Sequence, residues 1–218
     1  MTHRFARSLF RSRPHRLAAA LALAGASLAA NAASFTLSGN ITRDDQITFL
    51  NLVLDTAGTV LVTSLGYAGG IDTLGQMQAR GGFDSMLFLY NSSGTLVAQS
   101  DDGVGVPADP TTGLAADAAF SIALAAGSYT LALTQYDNFA LGNLSAGFSQ
   151  AGAGNFTPSM SPTCTATSFC DWSGASRNGH WVLAITGVSA VPEPSGLGLM
   201  LAGLAGAAWL RRRHLLAA

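Results

Sequence analysis

The sequence predicts an all-β domain over residues 33–190, arranged as a sandwich or a barrel of short strands. Two observations lead to this prediction. Short runs rich in Val, Leu, Met and Phe are bounded by Gly, Asp and Asn, as is typical of strands. The segments between these runs are Gly-rich turns, and many short strands joined by such turns favour a sandwich or barrel over a parallel α/β sheet.

Eight strands are predicted, at residues 34–40, 46–54, 58–66, 85–90, 95–99, 118–124, 128–136 and 181–185. In the second strand the apolar phase changes, which predicts a β-bulge near Leu50 and Asn51. The turn sequences Asn-Ser-Ser-Gly (91–94) and Ala-Ala-Gly (125–127) predict two hairpins, one joining the fourth and fifth strands and one joining the sixth and seventh. Residues 72–79 are predicted to be helical, and residues 138–178 form a long loop rich in Gly, Ser, Asn and Pro.

Residues 1–32 are predicted to be a signal peptide. Residues 1–16 carry five arginines and no acidic side chain, and an apolar run follows at 17–30. Ala30-Asn31-Ala32 then supplies the small-x-small pattern that signal peptidase accepts, so cleavage is expected after Ala32. A permanent N-terminal anchor is the weaker interpretation, because the apolar run is short for a membrane span.

Residues 191–218 form a tail of three parts. Pro192-Glu193-Pro194 is expected to be extended and to end the preceding strand, because proline cannot join a sheet. Residues 195–210 are uncharged and apolar, and Arg211, Arg212 and Arg213 follow them. At ~1.5 Å per residue a helix over the apolar part reaches roughly 24 Å, short of the ~30 Å hydrocarbon core. A helix of that length is a poor permanent anchor.

This order of parts resembles the PEP-CTERM sorting tail of Gram-negative bacteria. The resemblance implies processing near the motif by a membrane exosortase, which joins signal peptidase as an expected partner. It also implies that a short transmembrane helix holds the exported protein transiently in the inner membrane. The expected destination is the cell surface or an extracellular matrix. The alternative is an ordinary single-pass tail anchor after a proline-rich linker.

The charge of the predicted domain excludes some partners. Residues 33–190 contain eleven aspartates, three arginines and neither lysine nor glutamate, a net charge of −8. Such a surface repels nucleic acid and anionic lipid, whose phosphates are bound by Lys and Arg. Cys164 and Cys170, the two cysteines, lie in this exported region and are expected to form a disulfide in an oxidising compartment. A zinc site is the weaker interpretation, since two further ligands are lacking.

Four segments of the domain follow one another in a recognisable order: DDQITF at 44–49, FDSMLFLY at 83–90, SDDG at 100–103 and AGSYTL at 126–131. Together they resemble the bacterial pre-peptidase C-terminal domain over residues 35–136. The resemblance implies a single jelly-roll-like antiparallel β-sandwich in an extracellular setting. It implies no catalytic residues.

Three aspartates are candidate ligands of a metal ion. Asp84 precedes one strand of the first predicted hairpin, and Asp101 and Asp102 follow the other, so folding brings all three to one edge of the sheet. Carboxylates brought together repel unless a cation lies between them, and Ca²⁺ accepts six to eight oxygen ligands in loose geometry. The backbone carbonyl of Gly103 could complete the shell. The alternative is that these residues serve only turns and caps, with exposed charge.

Motifs of catalysis are few. The domain has one histidine, His180, and lacks the Gly-x-Ser-x-Gly and His-Glu-x-x-His patterns. We therefore expect an exported structural or adhesive protein, associated with the cell surface or with exopolysaccharide in a biofilm matrix. The alternatives are a calcium-dependent carbohydrate-binding module and a secreted hydrolase.

Six aromatic residues in or beside the long loop could stack on sugars, but are expected instead to pack the loop onto the sandwich: Tyr136, Phe139, Phe148, Phe156, Phe169 and Trp172.

Overall fold

The computed structural model of the protein describes residues 32–189. Predictions for Ala30, for the motif Pro192, Glu193 and Pro194, and for the apolar helix and arginines at 195–213 concern residues outside this range. The described part contains ten strands: β1 Ala32–Asn40, β2 Thr48–Leu54, β3 Gly58–Ser64, β4 Gly70–Ile71, β5 Met77–Gln78, β6 Ser85–Asn91, β7 Leu96–Ser100, β8 Ala119–Leu124, β9 Gly127–Gln135 and β10 His180–Ser189.

The strands form two four-stranded antiparallel sheets, with orders β1-β10-β3-β8 and β2-β9-β6-β7. A small third sheet pairs β4 with β5. The described helices are two 3-10 turns, Leu144–Ala146 and Thr157–Ser159, and neither is long and apolar enough to cross a membrane. The predicted all-β, sandwich-like architecture is therefore confirmed.

The core lies between the two large sheets, because alternate residues of each strand point inward. Its inward side chains are almost all aliphatic and fully buried: Val60 and Val62 of β3, Leu183 and Ile185 of β10, Leu52 and Leu54 of β2, Leu131 and Leu133 of β9, and Leu87 and Leu89 of β6. Truncating one such leucine removes its contacts and leaves a cavity that costs about 2–5 kcal/mol. This core holds the ends of the strands, and the loops that follow them, in fixed positions.

One end of the sandwich holds both termini of the described region, and the opposite end holds the start of β6. β1 begins and β10 finishes at one end, which we call the exit end, where Ala32 pairs with Ser189. At the opposite end, the far end, the hydroxyl of Ser64 at the close of β3 lies 2.7 Å from the hydroxyl of Ser85 at the start of β6. β6 therefore begins at the end of the sandwich that is remote from both chain termini of the described region.

The long loop covers the outer face of the second sheet. Met86, Phe88 and Tyr90 point outward from β6 yet are buried, because the loop packs Phe148 against them. The rings of Phe88 and Phe148 lie 5.6 Å apart in an edge-to-face arrangement. β6 is thus buried on both faces, which fixes the position of the residues that flank it.

The loop is also held by hydrogen bonds to a buried carboxylate. Asp44 is fully buried; its Oδ2 accepts the Thr157 N–H at 2.8 Å and its Oδ1 accepts the Phe169 N–H at 2.8 Å. Cys164 and Cys170 form the predicted disulfide, with Cα atoms 6.0 Å apart. Phe148 and Phe169 are buried, which confirms for them the expectation that aromatic side chains pack the loop onto the sandwich.

The β-bulge predicted near Leu50 and Asn51 is wrong, since β2 keeps one continuous register with β9. The change of apolar phase has another cause. The outward-facing ring of Phe49 lies 6.2 Å from that of Phe148, so the covering loop gives the outer face of this strand an apolar neighbour.

The helix predicted at residues 72–79 is also wrong, because β4 and β5 form a short hairpin there. Asp72 Oδ1 accepts hydrogen bonds from the backbone N–H groups of Leu74 and Gln76 at 2.9 and 2.8 Å. Its Oδ2 accepts a hydrogen bond from Nε2 of Gln78 at 2.7 Å. An aspartate that binds these backbone groups stabilises a turn at the expense of a helix.

One predicted hairpin is confirmed and the other is wrong. β6 pairs with β7 as expected, whereas β8 and β9 lie in different sheets. β9 is paired with β2 on one side and β6 on the other, so it has no free edge for β8. β8 pairs with β3 instead, and the turn between β8 and β9 carries the chain across the sandwich.

Candidate metal centre

The β6–β7 hairpin brings the three candidate aspartates together at the far end. Asp84 directly precedes β6, and Asp101 and Asp102 directly follow β7, whose last residue, Ser100, is paired with Leu87. Each of the three offers a carboxylate oxygen, and these oxygens all lie within 4.8 Å of one another. The sequence therefore predicted this convergence correctly.

The cluster lines an open cavity of about 190 Å³, together with Tyr136 and Trp172. Asp84 is only 4% exposed, Asp101 is half-buried and Asp102 is exposed. Oδ1 of Asp84 and Oδ1 of Asp101 are buried and have no hydrogen-bond partner among residues 32–189. Unpartnered buried carboxylate oxygens are destabilising unless a ligand satisfies them, so the cavity has acceptor atoms available for a cation.

All three carboxyl groups are shifted toward the protonated form. Burial raises the pKa of Asp84 well above its usual value, and the charges of Asp101 and Asp102 raise it further. Burial also raises the pKa of Asp101 to about 6, with a contribution from Asp102, and burial raises that of Asp102. A bound divalent cation would reverse these shifts, because it favours the ionised carboxylates.

The sequence did not place Trp172 beside this cluster. Trp172 is 59% exposed and Phe139 is 37% exposed, so the expectation that the loop aromatics pack inward is wrong for these two. The neighbours of Trp172 in the chain are fixed. Cys170, before it, is buried in the disulfide, and Asp171 is buried with its Oδ1 accepting the N–H groups of Ser173 and Ala175, each at 3.0 Å. Only the folding of the loop brings this side chain to the hairpin, and no local pattern in the sequence signals it.

Asp171 links the Trp172 loop to a second part of the far end. Its Oδ2 accepts the Tyr67 hydroxyl at 2.7 Å, and the guanidinium of Arg177 lies 3.7 Å from the centre of the Tyr67 ring. Arg177 Nη1 is also 3.7 Å from a carboxylate oxygen of buried Asp109. The charged groups of this network, Arg177, Asp109 and Asp171, are already in contact with one another or with Tyr67. They therefore do not add ligands to the candidate centre.

A smaller cavity, of about 140 Å³, adjoins the cluster and shares Asp101 with it. Its lining is more apolar and includes Met86, Phe88 and Phe139. His180, the histidine of the domain, begins β10 and lines neither cavity. The Gly103 N–H donates to the Asp117 carbonyl at 2.8 Å, which fixes the turn that carries Asp101 and Asp102.

Comparison with known proteins identifies the tail. Residues 190–213 match the PEP-CTERM protein-sorting motif, which confirms the prediction made from Pro192, Glu193, Pro194 and the arginine cluster. The match indicates an exported protein that is held transiently in the membrane and processed by an exosortase. No curated protein matches the chain.

Among solved structures, the chain is similar to the pre-peptidase C-terminal domain of a collagenase from Bacillus anthracis. The two share 12% sequence identity with a TM-score of 0.36, over 70% of this chain and 88% of that domain.

Proposed function

We propose, from the sorting motif at residues 190–213, that this chain is an exported β-sandwich that its tail delivers to the cell surface or the extracellular matrix. There it serves a structural or adhesive role and not a catalytic one. The Cys164–Cys170 disulfide supports export, since such bonds persist in oxidising compartments. The position of the sandwich termini supports display, because β10 ends at the exit end immediately before the motif.

We propose further that Asp84, Asp101 and Asp102 bind Ca²⁺ at the far end. The observation that carries this proposal is the buried, unpartnered Oδ1 of Asp84 in a cavity that two more carboxylates line. Ca²⁺ accepts carboxylate and carbonyl oxygens in flexible geometry and keeps water in its shell, which suits an open cavity. The three carboxylate oxygens lie within 4.8 Å of one another, closer than the roughly 5–9.5 Å between the two carboxyl groups of most glycosidases, which favours a shared cation over an acid–base pair.

Sorting is tested by intact mass and fractionation of the protein from cells with and without an exosortase. We expect mature protein that begins near Ala33 and lacks residues 195–218 in the first cells, and membrane-bound, uncleaved protein in the second. Replacing Pro192, Glu193 and Pro194 with alanine should give the second result in both. A full-length C terminus in exosortase-containing cells would refute sorting and leave a plain tail anchor.

Cation binding is tested by calorimetric titration of the exported chain with Ca²⁺. Wild-type protein and the control Asp55→Asn, an exposed aspartate at the exit end, should bind with equal affinity. Asp84→Asn should bind Ca²⁺ much more weakly, because the substitution removes the negative charge of the buried ligand without changing its size. Equal heats for all three proteins would show that the aspartates are only turn residues.

A further inference from the structure

We infer that the Asp84–Asp101–Asp102 cluster and Trp172 form one binding site for a neutral glycan, held through two neighbouring hydroxyl groups on a bound Ca²⁺. The inference rests on the proposed cation site and names its ligand class. The four side chains line the same cavity, so a single molecule can touch both the cation and the indole.

The cation would keep free positions toward solvent. Asp84 is buried, Asp101 is half-buried and Asp102 is exposed, and the cavity that they line is open to solvent, so a cation held there would keep coordination positions that water can reach. Ca²⁺ takes six to eight oxygens, more than one from each of three carboxylates can supply. Two vicinal hydroxyls of a sugar are neutral, adjacent oxygen ligands that can replace two waters together.

Trp172 gives the flat apolar surface that a sugar ring needs. Its side chain is 59% exposed although Cys170 and Asp171, just before it, are buried. An exposed tryptophan on a fixed loop covers a large apolar area and loses little conformational entropy when a ligand binds. The C–H face of a hexose stacks on such a ring, while its hydroxyls turn toward the cation.

The charge of the site selects against anions. Three carboxylates and one Ca²⁺ leave a negative site, and Asp137 is close enough to Asp101 to raise the energy of its ionised form. The domain around it has a net charge of −8. Acidic polysaccharides, phosphate esters and acidic peptides are therefore repelled, whereas a neutral sugar is not.

The adjoining cavity favours a chain of sugars over a single one. It shares Asp101 with the main cavity and is lined further by Gln99, Ser100 and the partly exposed ring of Phe139. A second sugar of the same chain can lie there. The site is at the far end of the sandwich, and the sorting motif follows the exit end, so a tethered protein can present the site to a polymer outside its own cell envelope.

The experiment measures retention of the exported chain on immobilised mannan, dextran, xylan and galactan, in millimolar Ca²⁺ and in chelator, beside a Ca²⁺ titration of each variant. Wild-type protein should be retained on at least one polymer in Ca²⁺ only. Trp172→Ala should bind Ca²⁺ normally but bind the polymer about tenfold more weakly or worse, as when a central aromatic anchor is truncated. The control Val104→Ala, which alters another exposed apolar residue, should change neither property.

The outcomes separate this inference from the cation site. Normal Ca²⁺ binding with no retention on any of the four polymers overturns the glycan site alone. Retention that persists in chelator, or that Trp172→Ala leaves unchanged, also overturns it. Loss of both Ca²⁺ binding and retention in Asp101→Asn is the expected result, and absence of Ca²⁺ binding in the wild-type protein overturns both proposals.

Discussion

Replacing Asp101 with asparagine should stabilise the protein in chelator and destabilise it, relative to the wild type, in Ca²⁺. The substitution keeps the size of the side chain and removes one charge from the cluster. In the folded protein the pKa of Asp101 is about 6, above its ordinary value of 3.8, because of burial and nearby carboxylates. At neutral pH the folded protein therefore carries a charge that the unfolded chain holds more easily.

The magnitude follows from the linkage between pKa and stability. A pKa raised from 3.8 to about 6 corresponds to at most about 3 kcal/mol. Asp101 is only half-buried, so solvent screening reduces the expected gain of the variant in chelator to about 1–2 kcal/mol. Ca²⁺ at a hundredfold excess over its Kd stabilises the wild type by about 2.7 kcal/mol, and the variant lacks most of this.

Thermal unfolding of wild-type, Asp101→Asn and control Asp55→Asn protein, with and without Ca²⁺, measures both effects. For a domain of this size each kcal/mol shifts Tm by about 2–4 °C, so the order of the first two melting temperatures should reverse when Ca²⁺ is added. In chelator the contribution of Asp101 is fully present below pH 3.8 and is lost as the pH rises through about 6. The same Ca²⁺ response in all three proteins, or a stability of the wild type relative to Asp101→Asn in chelator that rises over this pH interval, would refute the reasoning.

Three further variants test the parts of the structure that hold the site. Asp44→Ala should lower the free energy of unfolding by about 3–5 kcal/mol in denaturant titrations, because it leaves buried N–H groups of the long loop without an acceptor; a loss under 1 kcal/mol would contradict this anchoring role. Cys164→Ser with Cys170→Ser should cost about 2 kcal/mol, the value for so short a closed loop, and thiol titration of the unreduced wild type should find no free thiols. Gly103→Ala should weaken Ca²⁺ affinity as well as stability, since its Cβ would lie 2.5 Å from the Cβ of Ala119; unchanged Ca²⁺ titration would show that the turn can adjust.

The sequence predicted local structure better than it predicted which strands and loops lie next to each other. The β6–β7 hairpin was predictable because the turn residues at 91–94 and the apolar runs on both sides lie within one short segment. The pairing of β8 was not, since an Ala-Ala-Gly turn shows that the chain reverses but not which sheet it enters. The apparent bulge in β2 failed for a similar reason, because the apolar residue Phe49 is explained by the covering loop and not by the register of its own strand.

The candidate site likewise combines residues whose proximity the sequence predicted with one whose position it did not. Asp84, Asp101 and Asp102 were predictable as a cluster because a hairpin places the residues before one strand beside those after its partner. Trp172 was not, because its position depends on how buried Asp44 and the disulfide hold a loop of some forty residues. Sequence patterns do not encode such long-range contacts locally.

The placement of the candidate site and the tail at opposite ends of the sandwich has a mechanical consequence. When the far end holds a partner and the chain is tethered just after β10, the pulling force runs lengthwise along β10. β10 is paired with β1 from His180 to Ser189, with one irregularity at Gly187, and with β3 from Leu183 to Thr186. The hydrogen bonds between these strands run perpendicular to them, so the load shears many of the bonds at once and does not unzip them one by one. Resistance to such a load is governed by the rate of unfolding, and a shear geometry requires several of these bonds to break together before β10 can leave the sheet.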